Sequence, residues 1–376
     1  MKYDCSKLDE FINGEIEKSR IAGASLIVYK DGEILFDKNF GHANIENNIK
    51  ISDNTRFRLA SMTKPITAVA AMIAVEHGLF KLDDYVYEYL PEVKDLNLKD
   101  ENFNNISDEK YNFTIRQLLR HSAGFAISAG ESRAFTLLKD EDLYELKDCI
   151  KYVKDIGLQF IPGTKMGYSG SYAYNIVARV IEVTSGLKYS TFLNNYLFKP
   201  LKMDHISYVF NEGDEKAISY KSIDGKLEYF DDLNRGFECY YPGYESGGAG
   251  LICRKSDYFR FALMLLNKGK LDGVRVLKEE SFNELLHYDP TPNFESGGTE
   301  TFGLSFFVRD AKYSGWQKLP SGCFGWSGAY GTHFWVDPVN NMIVLYLHNS
   351  STFGGSGAPQ HTQIESDIVD IFNLTR

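Results

Sequence analysis

The chain has 376 residues, of which 43% are hydrophobic and 24% charged, and its formal net charge at pH 7 is −10. This balance suits a soluble globular protein long enough for a large core and two lobes. The acidic surplus, with no Lys/Arg-rich block, speaks against nucleic acid or an anionic membrane as a partner. The first stretch, MKYDCSKLDEFINGEIEKSR, reads as an amphipathic helix without an apolar core of signal-peptide length, and the longest apolar run, residues 66–75, is too short to span a bilayer. Five scattered cysteines (Cys5, Cys149, Cys239, Cys253 and Cys323) form no Cys-x-x-Cys, and no His-Glu-x-x-His occurs. Neither a disulfide framework nor a metal site is indicated, no cofactor is implied, and a reducing, cytoplasmic setting is the simplest reading.

After the first helix, GASLIVYKDGEILFDKNFGHAN reads as a hairpin turning at Asp31-Gly32. A short strand, TRFRLA, then delivers the chain to RLASMTKPITAVAAMIAVEHGL, whose apolar residues recur at helical spacing until Gly78. Residues 95–113 are polar and predict a loop. FTIRQLLRHSAGF predicts a helix of about two turns, capped by Thr114 and ended by Gly124. Helical periodicity continues over 142–153, 173–183 and 191–197, with the Gly/Ser-rich loop FIPGTKMGYSGS between the first two. Residues 206–245 are aromatic and polar without a clear period. GGAG at 247–250 precedes a helix over 256–266. TFGLSFFV, GCFGWSGAYGTHFWVDP and NMIVLYLHN read as three strands, and a helix over 363–372 follows. Strands at both ends with helices between predict an α/β lobe formed by 1–78 and 206–376, with a mainly helical lobe, 79–205, inserted.

The chemistry centres on Ser61 and Lys64. Ser61 is expected to open the apolar helix, with Pro65 tolerated in its first turn. Residues three apart share a helix face, so Lys64 can bring its amine to the Ser61 hydroxyl. A serine hydroxyl needs a neighbouring base to act as a nucleophile. Ser-x-x-Lys also occurs at Ser107–Lys110 and Ser185–Lys188, but only Ser61 leads into a long apolar helix. On spacing alone, the pair is equally a capping serine beside a solvated lysine. As a base, Lys64 must be neutral; alternatively it stays charged and favours the phenolate form of a nearby tyrosine.

Ser61-Met62-Thr63-Lys64, then Tyr168-Ser169-Gly170 on a loop, then Trp326-Ser327-Gly328 on a strand follow one another in an order that resembles the serine β-lactamase and penicillin-binding-protein superfamily. The chain looks most like its class C β-lactamase-related branch, which includes the family VIII carboxylesterases. FRLASMTKPITA, FTIRQLLRHSAGF, PGTKMGYSGSYAYNIVARVIEVTSG, PLKMDHI and GGAGLICRKSDYFRFALMLLNKG also read as segments of that family, in its order. The resemblance implies a β-lactamase/DD-peptidase-like fold, an antiparallel sheet flanked by helices. It implies Ser61 as nucleophile, Lys64 and Tyr168 as its proton acceptors, and the N–H groups of Ser61 and Ala329 as the oxyanion site. Trp326, Ser327, Gly328 and Gly170 would line the substrate.

Two positions depart from the family pattern. Gly170 stands where many members have asparagine, and Trp326 where β-lactamases have lysine, as in the Trp-x-Gly pattern of family VIII esterases. Both favour a carboxylesterase acting on small neutral esters. A β-lactamase, a D-amino-acid peptidase, or a catalytically weakened penicillin-binding or sensing protein are the alternatives. The partner in each case is a small ester, amide or lactam. Ser52-Asp53-Asn54 spells a known β-lactamase motif but precedes Ser61 and reads as a turn. Gly325-Trp326-Ser327-Gly328-Ala329 only approaches the Gly-x-Ser-x-Gly elbow of α/β-hydrolases.

Overall fold

Strands from the two ends of the chain make one sheet. The computed structural model describes residues 3–126, 145–230, 244–293, 297–313 and 318–374. Helix α1 (Ser6–Glu17) is followed by β1 (Gly23–Lys30), β2 (Glu33–Asn44), β3 (Ile49–Lys50) and β4 (Arg56–Arg58). Helices α2 (Thr63–Glu76), α3 (Ile115–Leu119) and α4 (Tyr172–Ser185) come next, then β5 (Ile252–Arg254) and α5 (Lys255–Leu266). The last third supplies β6 (Phe307–Val308), β7 (Phe324–Gly328), β8 (Thr332–Asp337), β9 (Met342–His348) and α6 (Pro359–Ile371). The seven-stranded sheet has the order β6-β7-β8-β9-β1-β2-β3, antiparallel throughout. This is the expected α/β arrangement of an antiparallel sheet flanked by helices.

Burial explains the patterns of the strands. β9 is buried along its whole length and lies between β8 and β1, so its sequence, MIVLYLH, is a continuous apolar run. Residues that pair across strands share a face, and α5 covers one face through Tyr258 against Phe334 and Phe259 against Tyr29. Helices α1 and α6 cover the other. Gln360 of α6 donates to Glu15 of α1 at 2.8 Å, and His361 stacks on His333 of β8 with centroids 4.6 Å apart.

Several elements differ from the sequence-based expectation. GCFGWSGAYGTHFWVDP holds two strands, because the chain reverses at residues 329–331, where Gly331 has φ +95°. TFGLSFFV contributes only β6: Ser305 has φ +76°, and Phe302 bridges back to Phe307. Helix α3 keeps its Thr114 cap but ends at Leu119, since His121 turns left-handed at φ +55° before Gly124 is reached. The aromatic 206–245 stretch includes a hairpin, Tyr220–Ile223 with Lys226–Tyr229, turning at Asp224-Gly225; residues 231–243 lie outside the described residues. The expected helix over 142–153 begins outside them, and its described part is a 3₁₀ segment, Leu146–Ile150, followed by the short helix Val153–Ile156. Cys5, Cys149, Cys253 and Cys323 are free thiols. Among the described residues no helix is long and apolar enough to cross a membrane.

Behind the sheet, burial pushes the His348 imidazole down to about 3 and holds His361 well below the usual imidazole range; burial does the same to His121. Unfolding frees these rings to take up protons below about pH 6.5. The unfolded chain then binds more protons than the folded one. Stability is therefore complete above about pH 6.5 and falls as pH drops toward the folded values, by up to about 1.4 kcal/mol per pH unit for each histidine. Urea midpoints should decline between about pH 7 and 4.5, and His348→Gln should flatten that slope. A slope unchanged by the substitution would remove His348 from the account.

Candidate active site

Ser61 sits two residues before the helix expected to begin with it, in a 3₁₀ turn, Ala60–Met62, that passes into α2. Residues 55–74 are all buried except Ser61, so this hydroxyl is the point at which the segment reaches solvent. The β4–β5 ladder brings the chain there, continued by the Leu59 N–H donating to Leu251 O at 2.9 Å. Ala60 has φ +47°, a left-handed conformation that an alanine adopts only when its surroundings enforce it. The enforcing contacts are at hand. Thr332 Oγ1 and the Met62 N–H both donate to Leu59 O, at 2.9 and 3.0 Å, and Tyr258 O–H donates to Met62 O at 3.0 Å.

Lys64, the second residue of α2 and one turn past Ser61, is fully buried. Its Nζ donates to Gly248 O at 2.9 Å and to Gly170 O, and lies 3.0 Å from Ser61 Oγ. Two carbonyls thus occupy two of the three Nζ positions, and the third faces the serine. Tyr168 O–H comes to the same Ser61 Oγ at 2.8 Å, and Lys64 Nζ stands 5.1 Å from the Tyr168 ring centroid. Ser61, Lys64 and Tyr168, far apart in sequence, are therefore brought together. The arrangement can take a proton from the serine: a neutral amine would offer its lone pair, and an ammonium would stabilise a phenolate beside it.

The Trp326 strand closes the site from the other side. Gly328 is where it touches the Ser61 turn: a Cβ there would overlap Leu59 O and Thr332 Oγ1. The Gly328 carbonyl accepts from the Gly331 and Gly355 N–H groups, at 3.1 and 2.9 Å, fixing the reversal that carries Ala329. The N–H groups of Ser61 and Ala329 have no acceptor among the described residues. Free donors of this kind can receive a developing oxyanion. Trp326, 8% exposed, sits between Tyr168 and Phe302, with centroids 5.6 and 4.9 Å away. Ser327 is a correction to the expected substrate lining. Side chains alternate along a strand, and its hydroxyl lies on the opposite sheet face, 2.8 Å from His333 Nδ1.

Comparison with known proteins identifies the family of the chain. A sequence model of the beta-lactamase family, described as Beta-lactamase, matches residues 8–366. The chain belongs to the beta-lactamase family of serine hydrolases. Esterase EstB of Burkholderia gladioli is 27% identical over 385 residues, covering 94% of this chain and 92% of its own. Among solved structures, EstCE1, described as a hydrolase with promiscuous acyltransferase activity, superposes with TM-score 0.81 at 22% identity, over 96% of this chain and 97% of its own. An octameric penicillin-binding protein homologue from Pyrococcus abyssi gives TM-score 0.76 at 21% identity, over 98% of this chain and 77% of that one.

Within this beta-lactamase-family chain, Gly170 contributes its backbone carbonyl to Lys64 at the position where the family pattern has asparagine. Gly248, in the GGAG segment, does the same, a role its sequence context does not by itself reveal. A Cβ on Gly248 would overlap Ser171 Cα, and one on Gly247 would overlap Tyr174 O, so the glycine pair lets this segment lie directly on the start of α4. The Gly-Gly pair was the available signal. His121, also unnoticed, packs on Tyr168 with centroids 4.6 Å apart. Arg254, the cation nearest in sequence to GGAG, pairs with Arg56 at the end of the β4–β5 ladder away from Ser61. Ser52-Asp53-Asn54 forms the turn before β4, with Ser52 Oγ accepting from the Asn54 N–H at 3.0 Å. Gly328→Ala would force β7 off the Leu59–Ala60 turn. Overpacking of this kind costs about 1–3 kcal/mol, and the displaced strand should slow labelling of Ser61 by a fluorophosphonate about 100-fold. Wild-type labelling by the alanine variant would show that the close approach at Gly328 is dispensable.

Proposed function

We propose that this protein is a carboxylesterase that cleaves small neutral esters through an acyl-enzyme on Ser61. The convergence of Tyr168 O–H and Lys64 Nζ on Ser61 Oγ carries the reading. The Ser61 hydroxyl proton passes to the Lys64–Tyr168 pair as Oγ bonds to the ester carbonyl carbon. The N–H groups of Ser61 and Ala329 hold the resulting oxyanion. Collapse breaks the bond to the alkoxy oxygen, which leaves as an alcohol with the proton held by the pair. Water then attacks the acyl group by the same route and releases the acid. Two coupled groups of this sort titrate as a pair. The similarity to Esterase EstB and to the hydrolase EstCE1 supports an ester substrate. The four free thiols among the described residues support a reducing, cytoplasmic setting.

Trp326 sets the preference for neutral substrates. It faces Tyr168 with an apolar ring and a single N–H that has no partner among the described residues. A lysine in this place would supply a charge-assisted contact to a substrate carboxylate, worth about 1.5–3 kcal/mol, or roughly ten- to a hundredfold in specificity. Short-chain p-nitrophenyl esters should accordingly be better substrates than nitrocefin, and Trp326→Lys should shift the kcat/KM ratio toward the lactam. A wild-type kcat/KM for nitrocefin above that for p-nitrophenyl butyrate would overturn the ester preference.

The machinery is tested separately. Ser61→Ala should abolish ester turnover and fluorophosphonate labelling while the fold survives. Tyr168→Phe should slow acylation by roughly two to four orders of magnitude, and Lys64→Arg comparably, because a guanidinium accepts no proton. Full turnover by the Ser61→Ala variant would exclude the nucleophile assignment.

A further inference from the structure

We propose that His121 is a positioning residue that aims the Tyr168 hydroxyl at Ser61; this rests on the reading of Ser61, Lys64 and Tyr168 just given. His121 grips the tyrosine from both sides. Its carbonyl accepts from the Gly167 N–H at 2.8 Å, and its Nδ1 accepts from the Ser169 N–H at 3.0 Å. The residues before and after Tyr168 are thus tied to a single partner. The imidazole also lies against the Tyr168 ring, and its other neighbours are Tyr174 and Phe302, at 5.1 and 5.2 Å between centroids. With Trp326 packed on the phenol as well, the ring has little freedom to swing away from Ser61 Oγ.

The bent backbone of His121 is part of the device. Its left-handed φ, two residues past the end of α3 at Leu119, lets one residue present both a carbonyl and a ring nitrogen to the same passing segment. An Nδ1 that accepts an N–H leaves the neutral ring's proton on Nε2, and this nitrogen has no partner among the described residues. Protonating Nδ1 would set two N–H groups against each other and place a second cation near Lys64. Burial, and then the charge of Lys64, hold the ring well below the usual imidazole range, so the clamp keeps one form across the neutral range. Tyr174, packed on the same ring, has its phenol pushed up by burial and adds no charge. His121 acts on the reaction only through Tyr168.

A double-mutant cycle with p-nitrophenyl butyrate tests this. His121→Phe retains a ring but removes the acceptor for the Ser169 N–H; His121→Asn retains an acceptor near the Nδ1 position. A displacement of the phenol by about 1 Å should lower kcat by roughly ten- to a hundredfold. In the wild-type background His121→Phe should show that loss with little change in KM, and His121→Asn should recover most of it. In the Tyr168→Phe background, His121→Phe should change kcat by less than about threefold, because residues acting as a unit are not additive. An equal loss in both backgrounds, or an asparagine variant no better than phenylalanine, overturns the proposal. His121→Gln, cycled in the same way, decides the matter if the phenylalanine variant does not fold. Turnover by Ser61→Ala would overturn the site reading and this proposal together, whereas an inactive Ser61→Ala with additive His121 effects overturns this proposal alone.

Discussion

A fully buried lysine with no carboxylate beside it among the described residues imposes the main constraint on this structure. The polar head of Lys64 must find hydrogen-bond partners inside the protein, since leaving such a group unmatched is expensive. It finds them on two backbone segments far apart in sequence, at Gly170 and Gly248. Those carbonyls reach it because the start of α4 and the GGAG segment lie directly on one another, an approach that side chains at 247 and 248 would block. With two positions taken, the remaining one is directed at Ser61. Chemistry and packing are therefore the same arrangement: whatever loosens the contact between these segments also misdirects the amine.

A second seam completes the site. Gly328 lets β7 lie against Leu59 and Ala60, while Thr332, across the reversal, hydrogen-bonds the same Leu59 carbonyl. The left-handed Ala60 is held by this seam on one side and by the β4–β5 ladder on the other. A strained residue just before the candidate nucleophile needs such bracing from several directions. The sheet, with α1 and α6 behind it and α5 in front, is the rigid body that supplies it.

The sequence disclosed the side chains of this site better than its backbone. Ser61, Lys64 and Tyr168 were legible because each stands in a recognisable segment, and together their order carries more than any one motif. The hairpin at Asp31-Gly32 and the helix stop at Gly78 were legible for local reasons, since both need a left-handed backbone. Gly248 and His121 were not, because they act through a carbonyl and a ring acceptor whose direction is set by tertiary packing. Ser327 was misread for a related reason. A motif names three consecutive residues, but a strand sends the middle one to the other face. The hairpin at Asp224-Gly225 had the same turn signal as the first one, masked by flanking strands that are short and largely exposed.

The pairing of β1 with β9 has a consequence for biosynthesis. The Gly23 N–H donates to Asn349 Oδ1, a partner 326 positions away, and Ala24 lies opposite His348. On the ribosome, the first strand waits with one edge uncovered until almost all of this span has been made. Ser61 waits too, because the strand that braces its turn is β7. Topologies closed by such distant contacts fold slowly, and their unpaired edges are exposed to aggregation meanwhile. The early hairpin of β1 and β2 is thus a nascent species for chaperones to shield, and the turn that carries Ser61 cannot be braced before β7 emerges.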